Sequence, residues 1–373
     1  MAKSNPFRPG SGLMPPYLAG REAEQAVFAK AMGIMQSDGI GNIIVMYGPR
    51  GTGKTVLLGW LENQCEEQGI DVAHTTPSTG LKSIDSLPKL LLPTNWLPDE
   101  ISASAGGILS AKWTNPDTGK KVDFAEHLVQ ACQKRSKVLL LDEAHTLAPD
   151  VARELLNISQ LTARKSPFLL ILAGTPGLNA TLMSVGATFV ERAEKIGVGR
   201  LDEQSAADAI RVPLQKENIL IEDKLLTSIV QDAQRYPYFL QLWGDALWDV
   251  ATEHKLTKLT AEQVRLAEPN VQKKKQAFYA SRYELMMKDE ELLAAANAVG
   301  RAFGDKDTLN IGDVIGIIED SLSHNLPDKS ARRNRAQELN EELNRIDYIW
   351  HPPGSVQAEP GIPSFMTYLN DRQ

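Results

Sequence analysis

The sequence lacks several features by which other classes of protein are recognised. Only two of its 373 residues are cysteines, Cys65 and Cys132, and they form no C-x-x-C pair. This excludes a cysteine-rich zinc site and indicates a reducing compartment. Met1 is not followed by an apolar signal core, and no run of about 18 apolar residues occurs anywhere. We therefore expect a cytoplasmic protein that has no membrane partner.

The sequence also has no excess of positive charge. It contains 40 Lys and Arg residues against 47 Asp and Glu residues, which gives a formal net charge of −7 at pH 7. Any contact with nucleic acid must therefore be confined to a local patch. The hydrophobic fraction of 42% is ordinary for a soluble globular protein, and the length favours two or three domains.

One stretch, Gly48–Thr55, fits the phosphate-loop pattern G-x-x-x-x-G-K-S/T at every position. An apolar, strand-like run at 42–47 precedes it and a helix-like segment follows it, which is the context that the motif requires. The predicted nucleotide-binding residues of this loop are Gly48, Pro49, Arg50, Gly51, Thr52, Gly53, Lys54 and Thr55.

Each residue type in this loop has a physical role. Glycine lets the backbone turn several N–H groups towards a polyphosphate, and the helix behind the loop adds the positive end of its dipole. Lys54 is expected to reach the β- and γ-phosphates, and the Thr55 hydroxyl to ligate Mg²⁺. The sequence therefore predicts a protein that binds a nucleoside triphosphate with magnesium.

A second signal is the apolar run 138–141, which is followed by Asp142 and Glu143. Such a run indicates a buried strand of a parallel sheet with carboxylates at its C-terminal end, the edge where ligands bind. Asp142 is predicted to hold Mg²⁺, and Glu143 to polarise the attacking water. The string Asp-Glu-Ala-His also occurs in a helicase family, but no second motor domain follows, so we interpret this match as coincidence.

The apolar run 168–173 ends just before Thr175, which is expected beside the γ-phosphate as a sensor of the nucleotide; the alternative is an ordinary turn residue. The guanine-specific pattern N/T-K-x-D is missing, because the nearest string, Thr257–Thr260, has no Asp. ATP is therefore favoured over GTP.

The patterns divide the chain into three predicted domains. A nucleotide-binding core is expected at 1–200, with an extended arm at 1–20 and an insertion at about 76–120. A helical lid is expected at 201–275, with helices at 203–216, 223–234 and 238–252. The last domain, 276–373, has helix-like stretches at 290–302, 311–322 and 329–345 and a hairpin-like end, which is typical of a winged helix.

The third helix of the last domain begins with basic residues and continues with acidic ones. A recognition helix contacts DNA through its N-terminal residues, so the predicted contacts with double-stranded DNA are Lys329, Arg332, Arg333 and Arg335. Arg332 lies almost on the line of Leu339 and Leu343, the buried side, so the three arginines cannot all face one groove. The alternative is a winged helix that packs against protein.

Taken together, these motifs resemble an AAA+ ATPase, most closely the archaeal-type replication-initiator (origin-recognition) ATPases, with features of STAND signalling ATPases. The resemblance implies an α/β P-loop core with a parallel sheet, in which Leu18 to Arg21 form the segment that packs against adenine. It also implies a homo-oligomer in which Arg192 reaches the γ-phosphate of a neighbouring subunit, with Arg200 as the alternative arginine finger.

Two departures from the family pattern matter. The strand-end sensor is usually Asn, whereas the candidate here is Thr175, and no second-sensor arginine is evident. Arg235-Tyr236-Pro237 is instead similar to the G-x-P element of STAND proteins, which would place Pro237 at the nucleotide. The resemblance thus implies a slow ATPase switch that engages DNA or a DNA-bound partner. A STAND-type ATPase with an unknown protein partner and a transposition-type AAA+ regulator are the alternatives.

Overall fold

The computed structural model describes residues 4–10, 12–92, 112–114, 121–186, 188–304, 306–323, 326 and 328–370. The chain divides into two compact units. The first, here called the sheet unit, comprises Glu22–Tyr47 and Lys54–Ile196. The second, the helical unit, comprises Met1–Arg21, Gly48–Gly53 and Gly197–Gln373. None of the described helices is both long and apolar enough to cross a membrane.

The sheet unit alternates helices with strands. Its helices are α1 Glu22–Asp38, α2 Lys54–Glu67, α3 Ser86–Leu91, α4 Phe124–Lys134, α5 Pro149–Thr162 and α6 Leu178–Ser184. Its strands are β1 Asn42–Tyr47, β2 Asp71–Thr75, β3 Lys112–Thr114, β4 Lys121–Asp123, β5 Lys137–Leu141, β6 Phe168–Gly174 and β7 Glu194–Gly197. Five strands form one sheet in the order β2-β5-β6-β1-β7.

The central strands β1, β5 and β6 are buried along almost their whole length because nearly all of their residues are apolar. Every residue of β5 and β6 is buried, and the pairs β2/β5, β5/β6 and β1/β6 are parallel. A parallel strand covered on both faces needs a continuous apolar run, so the strands predicted at 138–141 and 168–173 are confirmed. Their C-terminal ends lie at one edge, where ligands bind in open α/β sheets.

The predicted insertion at about 76–120 is described in part. It contains α3, and β3 pairs with β4 in an antiparallel manner, as expected for a hairpin. The hairpin's predicted loop, 115–120, lies outside the described residues, as does 93–111.

The largest part of the helical unit follows β7 in the chain. Its helices are α7 Glu203–Lys216, α8 Asp223–Asp232, α9 Pro237–Glu253, α10 Ala261–Met286, α11 Glu290–Phe303, α12 Ile311–Ser321, α13 Lys329–Arg345 and α14 Phe365–Asn370. Its strands are β8 Leu220–Ile221, β9 Lys258–Leu259, β10 Leu309–Asn310, β11 Ile349–Trp350 and β12 Gln357–Pro360. The six helices predicted from residue 203 to residue 345 are confirmed, and their ends agree to within about two residues.

The C-terminal part of this unit combines α11 to α13 with a three-stranded sheet in the order β10-β12-β11. β12 pairs in an antiparallel manner with both neighbours. The sequence predicts that the terminal hairpin-like element extends to Met366, but Phe365 and Met366 begin the helix α14 instead. The boundary expected between residues 275 and 276 falls inside α10, which continues through it with Val271, Lys275 and Tyr279 buried.

The N-terminal arm is extended, as expected, and packs on α9. Phe7 is buried where α9 carries Gly244, and a Cβ at that glycine would collide with the Phe7 ring. Asn5 Nδ2 donates to Asp245 Oδ1 at 2.8 Å, and the Arg8 N–H donates to Gln241 Oε1 at 3.0 Å. A glycine at 244 is therefore required by this packing.

His351, which follows β11, makes the stability of the fold depend on pH. Burial lowers the pKa of His351 from 6.5 to about 4. Because the unfolded chain binds this proton more tightly than the folded chain, protonation of His351 favours unfolding. The contribution of neutral His351 to the free energy of unfolding is therefore complete above pH 6.5 and is lost as the pH falls towards 4. We predict that, when the pH is lowered from 7.5 to 4.5, the free energy of unfolding of a His351→Gln variant falls by about 2–3 kcal/mol less than that of the wild type. Urea unfolding at the two pH values measures this difference. Equal losses would show that His351 does not titrate in this way.

Candidate functional site

The loop Gly48–Gly53 has the backbone geometry that requires glycine. Gly51 and Gly53 have φ angles of +86° and +97°, which side chains rarely adopt. A Cβ at Gly48 would collide with the Val198 carbonyl oxygen, and one at Gly51 would lie 3.0 Å from Tyr238 Cβ. The glycines are therefore required by close packing within the helical unit as well as by their φ angles.

Three further predicted nucleotide-binding residues lie in the helical unit. Arg21 is buried, and its Nη2 donates to the carbonyl oxygens of Thr52 and Gly199, at 2.8 Å in each case. Leu18 is half-buried, and Pro237 is the first residue of α9. The guanidinium of Arg21 thus holds the backbone of the loop, a role that the sequence did not predict. The adenine contact expected of Leu18 stays a prediction.

The predicted magnesium ligands come together in the sheet unit. Lys54 and Thr55 begin α2, and the Lys54 side chain is buried. The Thr55 hydroxyl donates to Asp142 Oδ2 at 2.6 Å, and the Glu143 N–H donates to Asp142 Oδ1 at 2.8 Å. Mg²⁺ prefers hard oxygen ligands such as a hydroxyl and a carboxylate. The pair therefore fits a magnesium ion.

Glu143 has an unusual backbone at the end of β5. Its φ is +53°, in the left-handed region, where a residue other than glycine is strained by about 1–3 kcal/mol. Such strain is frequent at functional sites, because the surrounding fold holds a side chain in a direction that it would not otherwise take. The Glu143 side chain is 47% exposed, so a water molecule has access to its carboxylate.

His145 is a candidate functional residue that the sequence did not predict. Its Nε2 lies 3.4 Å from Glu143 Oε2, and its Nδ1 accepts the backbone N–H of Thr175 at 3.4 Å. Because Nδ1 accepts, the proton of the neutral ring is on Nε2 and faces the carboxylate. The signal was present in the string Asp-Glu-Ala-His, which we had interpreted as coincidence. Thr175 itself is buried at the end of β6.

The two candidates for an arginine finger differ in their surroundings. Arg192 is exposed at the end of a short 3₁₀ helix, Thr188–Arg192, in the sheet unit. Arg200 is in the helical unit, its side chain is 11% exposed, and it pairs with Asp307 at 3.0 Å and Glu359 at 3.4 Å. A finger must extend from the surface, so Arg192 is the better candidate.

The predicted DNA contacts lie in the first two turns of α13. Lys329 is exposed, whereas Arg332 is half-buried and donates to the Leu326 carbonyl oxygen at 3.0 Å. Arg333 is exposed and lies 3.3 Å from a carboxylate oxygen of Glu319.

Arg335 is surrounded by acidic residues. Its guanidinium lies 2.8 Å from Glu291, 3.1 Å from Glu338 and 3.6 Å from Asp289. These carboxylates neutralise its charge, so of the four candidates Lys329 and Arg333 have the most access to a phosphate backbone.

The sheet and the loop that follows β1 define a P-loop nucleotide-binding protein. Residues 39–182 match a protein-family model described as "AAA domain". No curated protein matches the sequence.

Solved structures with the same fold cover nearly the whole chain. The Aeropyrum pernix ORC2 protein, solved in ADPNP-ADP complexes, is 14% identical over 98% of both chains, with a TM-score of 0.59. The Walker-type ATPase PABY2304 of Pyrococcus abyssi is 14% identical over 95% of this chain and 96% of that chain, also with a TM-score of 0.59. Cdc6p from Pyrobaculum aerophilum is 14% identical over 97% of both chains, with a TM-score of 0.50.

At these identities the similarity shows the fold alone. The chain has the α/β AAA+ P-loop fold of archaeal ORC and Cdc6 proteins, and the resemblance seen in the sequence is confirmed.

Proposed function

We propose that this protein is a Mg-ATP-dependent molecular switch that hydrolyses ATP slowly. The observation that carries the proposal is the 2.6 Å hydrogen bond between Thr55 and Asp142, which joins the phosphate-loop motif to the acidic strand end. These residues are 87 positions apart in the chain, and only the folded sheet unit unites them. The AAA domain at 39–182 supports the same conclusion.

Each residue of the site has a chemical role in the proposed reaction. Lys54 and the backbone N–H groups of Gly48–Gly53 bind the phosphates, and Thr55 and Asp142 hold magnesium, which would neutralise charge on the β- and γ-phosphates. Glu143 accepts a proton from the attacking water, and the Nε2–H of His145 orients its carboxylate. Arg192 of a neighbouring subunit stabilises the developing negative charge.

Two features support slow hydrolysis. The Glu143 carboxylate is paired with His145, so part of its hydrogen-bonding capacity is taken up by the ring and less of it is left for the attacking water. The Thr175 hydroxyl donates and accepts through a single oxygen, whereas an amide side chain would present its donors and its acceptor on separate atoms to the γ-phosphate and the water. A long-lived ATP-bound state suits a switch better than a motor.

The test of this activity is phosphate release by the purified chain, with and without Mg²⁺ and over a range of protein concentrations. We expect release that requires Mg²⁺ and rises per subunit with concentration, because Arg192 acts in trans. Release that is indifferent to magnesium would contradict the roles of Thr55 and Asp142.

The second part of the proposal concerns the partner of the switch. The helices α11 to α13 and the antiparallel strands β11 and β12 support a winged helix, in which α13 would enter the major groove of double-stranded DNA. The exposed residues Lys329 and Arg333 at the start of α13 support phosphate contacts.

One specific observation favours a second candidate function. The ion pairs of Arg335 with Glu291, Glu338 and Asp289 make the start of α13 less positive than its sequence suggests. A surface of mixed charge suits a protein partner better than DNA, as in a STAND-type signalling ATPase.

A salt series of electrophoretic shifts with duplex DNA separates the two candidates. For a DNA-binding switch we predict that replacing both Lys329 and Arg333 by Ala weakens binding and lowers the salt slope by about two. The matched control is Arg345→Ala, at the exposed far end of α13 in a pair with Glu342. If the wild type gives no salt-sensitive shift, or if the control has the same effect, the protein-partner candidate is favoured.

A further inference from the structure

Four successive carbonyl groups of the phosphate loop each accept a hydrogen bond. The acceptors are the backbone oxygens of Pro49, Arg50, Gly51 and Thr52. Their donors, in the same order, are the Thr52 hydroxyl, the Tyr236 hydroxyl, the Tyr238 N–H and the Arg21 guanidinium. The distances are 2.9 Å at Pro49, 3.1 Å at Gly51 and 2.8 Å at Thr52. Three of these four donors lie outside the loop.

These bonds determine where the amide groups of the loop point. In a planar trans peptide, the N–H of one residue points away from the carbonyl oxygen of the residue before it. The described peptide bonds contain no cis form. When each carbonyl of 49–52 is held towards its donor, the N–H group of the residue that follows it is therefore directed away from that donor. A row of N–H groups directed to one side is what a phosphate-binding nest needs.

Tyr236 is the donor with the most restricted surroundings. It is 0% exposed and lies just before α9. A Cβ added at Gly51 would lie only 3.2 Å from Cε1 of the Tyr236 ring. Burial is the main cause that raises the pKa of Tyr236 well above its usual value of 10, and Asp347 adds to this. The hydroxyl therefore stays protonated and donates to the Arg50 carbonyl, which can only accept.

The start of α9 explains why the next donor is available. Pro237, the first helical residue, has no N–H, and the first N–H groups of any helix lack partners within it. The N–H of Tyr238 is one of these, and it bonds to Gly51. The sequence Tyr236-Pro237-Tyr238 thus presents a hydroxyl and a backbone N–H to two neighbouring carbonyls.

An ion cluster of the buried residues Asp347 and Arg282 and the exposed residue Arg50 lies beside this contact. Asp347, which lies two residues after α13, has its Oδ2 3.5 Å from Arg282 Nη2 and 4.0 Å from Arg50 Nε. The Arg282 guanidinium also lies over the Phe278 ring, 4.5 Å from its centre. The cluster thus links Arg50 of the phosphate loop to the segment that follows α13 and to α10, within the helical unit.

We propose that hydrogen bonds to four successive carbonyls hold the phosphate loop in its triphosphate-binding conformation, with Tyr236 as a positioning residue together with Arg21, the Thr52 hydroxyl and the Tyr238 N–H. The proposal rests on the ATP-binding function proposed above. Because the donors already hold the loop in its binding conformation, ATP binding does not have to supply the free energy of ordering the loop. The donors therefore increase the affinity for ATP without touching it.

The test compares Tyr236→Phe with Tyr279→Phe. Tyr279 is the matched control, because it is buried in the same unit and its hydroxyl also donates to a backbone carbonyl, that of Pro363, at 3.1 Å. We expect Tyr236→Phe to raise the Kd and the KM for ATP about tenfold, the effect of one lost hydrogen bond. The kcat at saturating ATP should change less than twofold, because the loop is ordered equally in the ground and transition states. Tyr279→Phe should leave Kd, KM and kcat unchanged.

A second variant, Thr52→Val, keeps the shape of the side chain but removes the donor to Pro49, and it should also raise the KM. It decides the question alone if Tyr236→Phe does not fold. The proposal is contradicted if ATP affinity stays at the wild-type value in the folded variants while only the Tm falls, or if Tyr279→Phe has the same effect on affinity. Absence of ATP binding by the wild type would instead overturn the proposed function, and this proposal with it.

Discussion

Replacing Glu143 by Gln is expected to lower the rate of ATP hydrolysis by a factor of about 10² to 10⁴ while ATP binding is retained. A glutamine has the shape of glutamate but cannot take a proton from water, and general-base catalysis contributes a factor of this size. The hydrogen bond between Thr55 and Asp142 does not involve the Glu143 side chain, so magnesium and nucleotide binding should not change. Single-turnover phosphate release and an ATP titration measure the two effects separately.

The control for this substitution is Glu66→Gln, which makes the same chemical change on the exposed face of α2. It should leave both binding and hydrolysis unchanged. If Glu143→Gln hydrolyses ATP at the wild-type rate, Glu143 is not the base. Its left-handed backbone and its contact with His145 would then need another explanation.

Replacing Lys54 by Ala is expected to weaken ATP binding by a factor of about 10 to 150. Lys54 is the only cationic side chain that the loop motif directs at the β- and γ-phosphates, and a hydrogen bond to a charged group contributes about 1.5–3 kcal/mol. Fluorescence titration with a labelled ATP analogue measures the loss.

The control is Lys30→Ala, an exposed lysine of α1, which should bind ATP like the wild type. A thermal melt of each variant without nucleotide is also required, because the Lys54 side chain is buried. Tight ATP binding by a folded Lys54→Ala protein would show that the phosphate loop does not bind ATP in the proposed way.

The sequence predicted the elements whose signals are local. Continuous apolar runs identify β5 and β6, because strands buried on both faces of a parallel sheet need such runs. Helical periodicity identifies α7 to α9 and α11 to α13, whereas α10 was not predicted. The phosphate loop is recognisable because its glycines, lysine and threonine have fixed spacing within eight residues.

The contacts that the sequence did not predict join residues far apart in the chain. His145 meets Thr175 across 30 positions, and Tyr236 meets Arg50 across 186. The acidic partners of Arg335 come from α11 and its N-cap as well as from α13, so the basic start of α13 looked more positive in sequence than it is in the fold. Periodicity places a residue on a face of its own helix but does not show which side chains another element brings to it.

The continuity of α10 has a similar cause. The lysine run Lys273–Lys275 lies at the expected boundary, and in the sequence such a run indicates a solvated surface. In the structure Lys275 is buried, with its Nζ 3.1 Å from the Asp232 carbonyl oxygen and 5.1 Å from the centre of the Phe239 ring. A charge run in sequence therefore contained one residue that stabilises the core of the helical unit.

The central claim is that the chain binds ATP with magnesium, and a calorimetric titration of the purified wild-type protein with ATP in the presence of Mg²⁺ tests it most directly. The account predicts saturable binding of one ATP per chain, with an affinity that falls when EDTA removes the magnesium. No measurable heat of binding and no rise in Tm at millimolar ATP would contradict it.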